Sequence, residues 1–201
     1  YADDCIIVVQ SEKAANRVME SITKFIEKKL GLKVNVEKSK VARPTDIKYL
    51  GFGFYSSKGT YRPKPHIKSV EKLIQKIKDI TSRSNAMSII EKIIRLNQII
   101  MGWINYFRIA DMKTLMKEVG EHTRHRLRMC IWKYWKKPKT KYKELIKLGT
   151  SEEKAYMVAN TRRGYYWVAC TVVLHMALPN KLFKEKGLVF PLDHYLKVHI
   201  A

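Results

Sequence analysis

The chain has 201 residues and a mass of 23.6 kDa, and its 40 Lys and Arg against 18 Asp and Glu leave a formal charge of +22. A hydrophobic content of 46% excludes a disordered tail, and no run reaches the roughly 18 uninterrupted apolar residues of a membrane helix. Such a charge excess opposes compaction unless a polyanion neutralises it, so nucleic acid is the first partner expected, ahead of an anionic membrane.

Three scattered cysteines, Cys5, Cys130 and Cys170, argue against both a disulfide framework and a Cys-based zinc site. No signal peptide is recognisable, and an intracellular, reducing setting is expected. The chain opens on Tyr1-Ala2-Asp3-Asp4 and runs at once into Cys5-Ile6-Ile7-Val8-Val9, an apolar run expected to be a buried strand. A start without Met, in mid-strand, suggests the C-terminal part of a longer polypeptide.

Next in chain order, Ser11 suits a helix N-cap, and Ala15, Val18, Met19, Ile22, Phe25, Ile26 and Leu30 recur at helical spacing before Gly31. Leu32 to Val36 alternates like a half-buried strand, Lys38 to Arg43 form a basic loop, and Ile47 to Tyr55 returns to strand character. From Pro65 the pattern becomes helical. Ile67, Val70, Leu73, Ile74, Ile77 and Ile80 form one stripe. Ile89 to Phe107 carries a second, and about Asp111 to Lys136 a third, which Pro138 closes. A helix at Ser151–Asn160, an aromatic segment at Gly164–Leu178 and a tail with Leu192–Leu196 complete the chain. The expected fold class is an α+β part followed by an all-α helical bundle, divided at 1–62, 63–137 and 138–201.

Asp3 and Asp4 are the first residues that suggest chemistry. Side chains of adjacent residues on an extended strand point to opposite faces, whereas on a tight turn they converge. Paired carboxylates at the tip of a buried strand are what two-metal phosphoryl transfer requires, and hard oxygen ligands favour Mg²⁺. The alternative for four residues alone is a solvated acidic turn.

Tyr1-Ala2-Asp3-Asp4, a helix, Gly31-Leu32-Lys33-Val34-Asn35-Val36-Glu37-Lys38-Ser39-Lys40 and then Lys48-Tyr49-Leu50-Gly51-Phe52 resemble, in order and spacing, the second half of a reverse-transcriptase palm. Thr81-Ser82-Arg83-Ser84, Leu96-Asn97 with Ile100, and Gly102-Trp103-Ile104-Asn105-Tyr106-Phe107 resemble the thumb and maturase region of group II intron-encoded proteins. Arg163-Gly164-Tyr165-Tyr166-Trp167 and Leu192-Asp193-His194-Tyr195-Leu196 are similar to later parts of that family. The resemblance implies an RNA-directed DNA polymerase that also binds its intron RNA and assists splicing. Asp3 and Asp4 would be two of three Mg²⁺-binding catalytic carboxylates, the third lying on an earlier strand. Lys38, Lys40 and Arg43 would approach primer–template or nucleotide, and Gly51 would match the primer-gripping hairpin. The implied partners are group II intron RNA, an RNA template/DNA primer duplex, dNTP and target DNA. The implied setting is a bacterial cytoplasmic or nucleoid-associated ribonucleoprotein, or an organelle. The tail lacks the paired cysteines and clustered histidines of an HNH-type endonuclease.

Independently of family, residues 121–147 hold ten Lys and Arg against Glu121 and Glu144. At about 100° per residue, Arg124, Arg128, Trp132, Trp135 and Lys136 share a sector opposite Met116, Thr123, Leu127, Cys130 and Tyr134. An exposed Arg–Trp face there, with Lys133 and Lys137, suits stacking on unpaired bases and phosphate contacts. The alternative is a solvated face whose lysine stems cover apolar surface. His122 and His125 are expected to join that basic surface. Trp103 and Phe107 share the face of Ile100 and are expected in the core. Asn105, Arg108 and Arg83 are further contact candidates, and Arg162-Arg163 suits either an RNA contact or a loop gripping the bundle. The rival functions are a non-catalytic RNA-binding splicing factor and a helical DNA-binding protein.

Overall fold

A computed structural model describes residues 5–200, which hold ten α-helices and one two-stranded sheet. The chain divides into two compact units, one ending at His66 and one beginning at Ile67.

In the N-terminal unit, α1 (Glu12–Leu30) starts where the Ser11 side chain accepts from the Ala14 amide at 3.2 Å. It ends at Gly31, whose φ of +63° lets the following Leu32 amide return to the Ile26 carbonyl. The expected stripe is present, but none of its residues is fully buried. Two expected strands are absent. Cys5 to Val9 forms no strand among the described residues, and Val8 is 81% exposed. An apolar run becomes a strand only where a neighbour accepts its ladder. Leu32 to Val36 is also irregular: the Asn35 side chain takes the Lys38 amide at 3.1 Å and its carbonyl takes the Ser39 amide at 2.9 Å, making a turn.

The third expected strand forms late. β1 (Phe52–Ser57) pairs antiparallel with β2 (Thr60–Pro65), in register from Phe52 opposite Pro65 to Ser57 opposite Thr60. Lys58 and Gly59, both at positive φ, close the hairpin with the two-residue turn that matches strand twist. Leu50 and Gly51, also at positive φ, make a second tight turn in which Tyr49 and Phe52 exchange both backbone hydrogen bonds.

The C-terminal unit is helical: α2 (Ile67–Ile80), α3 (Ile89–Tyr106), α4 (Lys113–Tyr134), α5 (Pro138–Lys147), α6 (Glu152–Ala159), α7 (Tyr165–Ala169), α8 (Val172–Ala177), α9 (Asn180–Glu185) and α10 (Pro191–Val198). A reciprocal capping box between Ser88 and Glu91 fixes the start of α3. The core is Leu73 and Ile77 of α2, Ile93, Leu96, Ile100 and Ile104 of α3, and Met116, Val119 and Leu127 of α4. α4 packs against α7 and α10 as well as α2 and α3. Gly120 permits the approach of α10, since a Cβ there would lie 3.3 Å from Pro191 Cδ. Pro138 opens α5 rather than only closing α4, because proline is tolerated in a first helical turn.

Candidate nucleic-acid interface

Asp3 and Asp4 lie outside the described residues. Of the other expected palm contacts, Lys38, Lys40 and Arg43 are exposed; Lys38 sits in the Asn35 turn, and Lys40 Nζ donates to the Asp46 carbonyl at 3.5 Å. Gly51 is required first by its backbone: its φ is +83°, and its carbonyl accepts from the His66 amide at 2.9 Å.

The expected Arg–Trp face of α4 is corrected by the fold. Arg128 is 3% exposed and Trp132 2%, because α4 is covered on more than one side. The Arg128 guanidinium donates from Nε to the Leu178 carbonyl at 2.9 Å and from Nη2 to Asn180 Oδ1 at 3.0 Å, and lies 5.3 Å from the Phe183 ring centroid. Burial, with the charge of Arg124 added, pushes its pKa down to about 10, so it stays cationic at neutral pH. Arg124 is half-buried over Phe190 at 5.0 Å. Trp135 meets Trp132 edge-on at 5.7 Å, and the buried Lys141 ammonium lies 4.5 Å from the Trp132 ring centroid.

The two histidines are not basic surface either. His122 and His125 are half-buried, each with a ring centroid 6.4 Å from Tyr166, and His125 lies 4.9 Å from His175 of α8. Burial first, then nearby arginines, hold all three imidazoles below the ordinary histidine range. By contrast Ile100 and Phe107 are buried as expected, with Trp103 packed 4.5 Å from Phe107. Asn105 Oδ1 lies 2.9 Å from His194 Nε2, and the Arg108 carbonyl receives His199 Nδ1 at 2.7 Å. Arg162 and Arg163 are exposed, and the Arg163 guanidinium stands 5.2 Å from the Trp167 ring centroid.

The structure gathers cations elsewhere, at the loop between α2 and α3. Arg126 donates to Thr81 Oγ1 at 2.8 Å and to the Lys78 carbonyl at 3.0 Å. The Cys130 thiol reaches the Thr81 carbonyl at 3.3 Å, and Lys133 Nζ donates to the Arg83 carbonyl. The buried Lys92 of α3 donates to the carbonyls of Asn85 at 3.0 Å and Met87 at 2.7 Å. Arg83, with its carbonyl so engaged, turns its guanidinium out over Tyr165 at 5.4 Å. Lys136 and Lys137 are exposed at the end of α4. Sequence reading missed Arg126, Lys92 and Lys141, because nothing in a helical pattern marks a cation that serves a distant loop carbonyl.

Two family models match the chain. The reverse transcriptase (RNA-dependent DNA polymerase) model matches residues 1–54, a stretch that includes Asp3, Asp4 and α1. The model of the group II intron, maturase-specific domain matches residues 70–149, from the first turn of α2 past the end of α5. Over these two stretches the chain is similar to group II intron reverse transcriptase/maturases. No curated relative matches it. The basic α2–α3 loop and the α4 terminus both fall within the maturase-specific match. No described helix is long and apolar enough to cross a membrane, and no described cluster of three or more His, Cys, Asp or Glu is placed to hold a metal.

Proposed function

We propose that this chain serves an RNA-directed DNA polymerase that binds group II intron RNA, assists its splicing and copies it. The observation that carries the reading is the joining, in one chain, of Tyr1-Ala2-Asp3-Asp4 within the polymerase-matched stretch to a maturase-matched helical unit. Across residues 121–147 that unit holds ten cations against two acids.

In the polymerase half, Asp3 and Asp4 would hold Mg²⁺, and two hard carboxylates are a donor set that suits it. When bound, such ions stabilise the attacking and leaving oxygens of an in-line displacement. The aspartates fix the place at which a primer 3′-hydroxyl meets the α-phosphate of a dNTP. The exposed Lys38, Lys40 and Arg43 offer charge to a template/primer backbone. In the maturase half the work is binding: exposed cations hold the intron RNA, and target DNA would meet the same polyanion chemistry.

Asp3→Asn with Asp4→Asn tests the division. In the protein that contains this chain, DNA synthesis on a primed RNA template should be lost while affinity for a group II intron transcript stays within about twofold. Loss of both together would overturn the separation. Synthesis retained by the double variant would remove Asp3 and Asp4 from the catalysis. A parent that binds the intron transcript but makes no DNA would favour the non-catalytic splicing-factor reading, and preference for duplex DNA over intron RNA at matched salt would favour the DNA-binding one.

A further inference from the structure

The α2–α3 loop spends its acceptors inward. The carbonyls of Thr81, Arg83, Asn85 and Met87 are taken by donors from α3 and α4, among them Lys92, Cys130 and Lys133, and the Tyr134 hydroxyl also reaches Met87. What the loop presents outward is the donor side. Ser82 and Ser84 hydroxyls stand 2.9 Å apart, and beside them the Arg83 guanidinium lies over the Tyr165 ring, 5.4 Å from its centroid. These groups and Lys133 line a recess of about 480 Å³. A second recess of about 230 Å³ shares Ser82, Arg83, Ser84 and Lys133 with the first and is lined also by Lys136, and no acid lines either.

Lys136 adds a further cation. It sits just past the C-cap Trp135 with a φ of +25°, in the region where glycine is the economical choice. The turn carries its exposed side chain past the end of α4, where the ammonium adds to the charge of Lys133 and Arg83.

We propose that these two adjoining recesses form a phosphodiester-binding subsite for an RNA backbone, with Arg83 and Lys136 as its principal charges and the one hydroxyl proton that the Ser82–Ser84 pair leaves free as a hydrogen-bond donor. Arg83 brings a planar fork that matches two phosphate oxygens, and the ring beneath it limits the rotamers lost on binding. Lys133 keeps two of its three donor protons after serving the Arg83 carbonyl. The subsite rests on the RNA-binding reading above and adds to it a particular place and chemistry.

The test uses the 201-residue chain and a labelled oligo(U), titrated across a salt series. Lys136→Gly relieves the backbone, so its thermal midpoint should equal or exceed that of the parent. Its plot of log affinity against log salt should be shallower by about 0.7, the amount expected for one lost single-strand phosphate contact. Adding Arg83→Ala should bring the flattening to about 1.4, and Ser84→Asp should weaken binding more than either while the melt is unchanged. Parent-like slopes in all three variants, with the parent binding normally, would overturn the subsite and leave the wider RNA reading standing. Absence of salt-dependent binding by the parent itself would overturn both. Inorganic phosphate at equal phosphate concentration should fail to displace the oligonucleotide; displacement would mean a site for free phosphate rather than for a backbone.

Discussion

The two units of this chain use similar amino acids to different ends. In the N-terminal unit the α1 stripe is amphipathic, capped at both ends and still without a buried residue, with Phe25 56% exposed. In the helical unit the same kind of stripe on α3 disappears into a core where Leu96 and Ile104 are fully buried. The difference extends to charge. The N-terminal unit keeps its described cations at the surface or half-exposed, whereas the helical unit buries Lys92, Arg128 and Lys141. Hydrophobic period therefore settles that a helix forms, and the number of neighbouring elements settles what it buries.

The largest test of this contrast replaces one residue in each stripe. Leu96→Ala should cost about 2–5 kcal/mol, since it removes a fully buried side chain from a site ringed by α3 and its neighbours. Phe25→Ala should stay within about 0.5 kcal/mol, as exposed substitutions do. Urea unfolding followed by the far-ultraviolet circular dichroism of the helices reads α1 and the helices of the second unit alike, so both variants are visible to it. Equal shifts for the two variants would erase the contrast.

A smaller effect sharpens it from the charge side. Arg128→Met keeps the length and apolar stem but leaves the Leu178 carbonyl without its guanidinium donor. The expected loss is about 1–3 kcal/mol, the usual penalty for an unsatisfied buried acceptor. The salt dependence of RNA binding should not change, because the side chain faces Phe183 and Asn180 rather than solvent. A flatter salt slope would return Arg128 to the binding face.

These residues also mark how far the sequence could be read. The α2, α3 and α4 stripes were legible because a 3.6-residue period needs no knowledge of partners, and the predicted α+β-then-helical order holds at that coarse level. Strands at Cys5–Val9 and Leu32–Val36 were not foreseeable as irregular, because a strand depends on a ladder that its own residues do not encode; Asn35 was the local signal against the second. Beyond α4 only α6 is legible as a helix; α5, α7, α8, α9 and α10 are not, and for α5 the reason is that a proline reads as a stop as readily as a first-turn residue. The Arg–Trp face failed because a helical wheel assumes one packed side, whereas α4 buries residues as far apart around it as Leu127, Arg128 and Trp132. The loop at Ser82–Asn85 was legible as a polar break, but not as the place where α4 spends its cations.

The smallest expected effect concerns protons. His122, His125 and His175 meet at the junction of α4, α7 and α8, and the Nε2 atoms of His122 and His175 are buried without a partner. Facing them are Arg124, Arg126, Arg128 and Lys78, with Glu121 near His125 and the Ala169 backbone hydrogen bond to His175 acting in the opposite sense. Each imidazole is thus held below its ordinary value near 6.5, by burial before charge. With the folded-state pKa depressed, the unfolded chain takes up protons first as pH falls. The contribution of these neutral histidines to the helical unit's stability is therefore fully present above about pH 6.5 and is lost progressively below that value. His175→Phe keeps a ring against His125 while removing one titrating group and one unpartnered nitrogen. Its thermal midpoint should fall less between pH 7.5 and pH 5.5 than that of the parent, by a few degrees at most for a domain of this size. Parallel pH profiles would place the acid sensitivity elsewhere, and with it the claim that the dense unit buries neutral histidines as it buries cationic arginine.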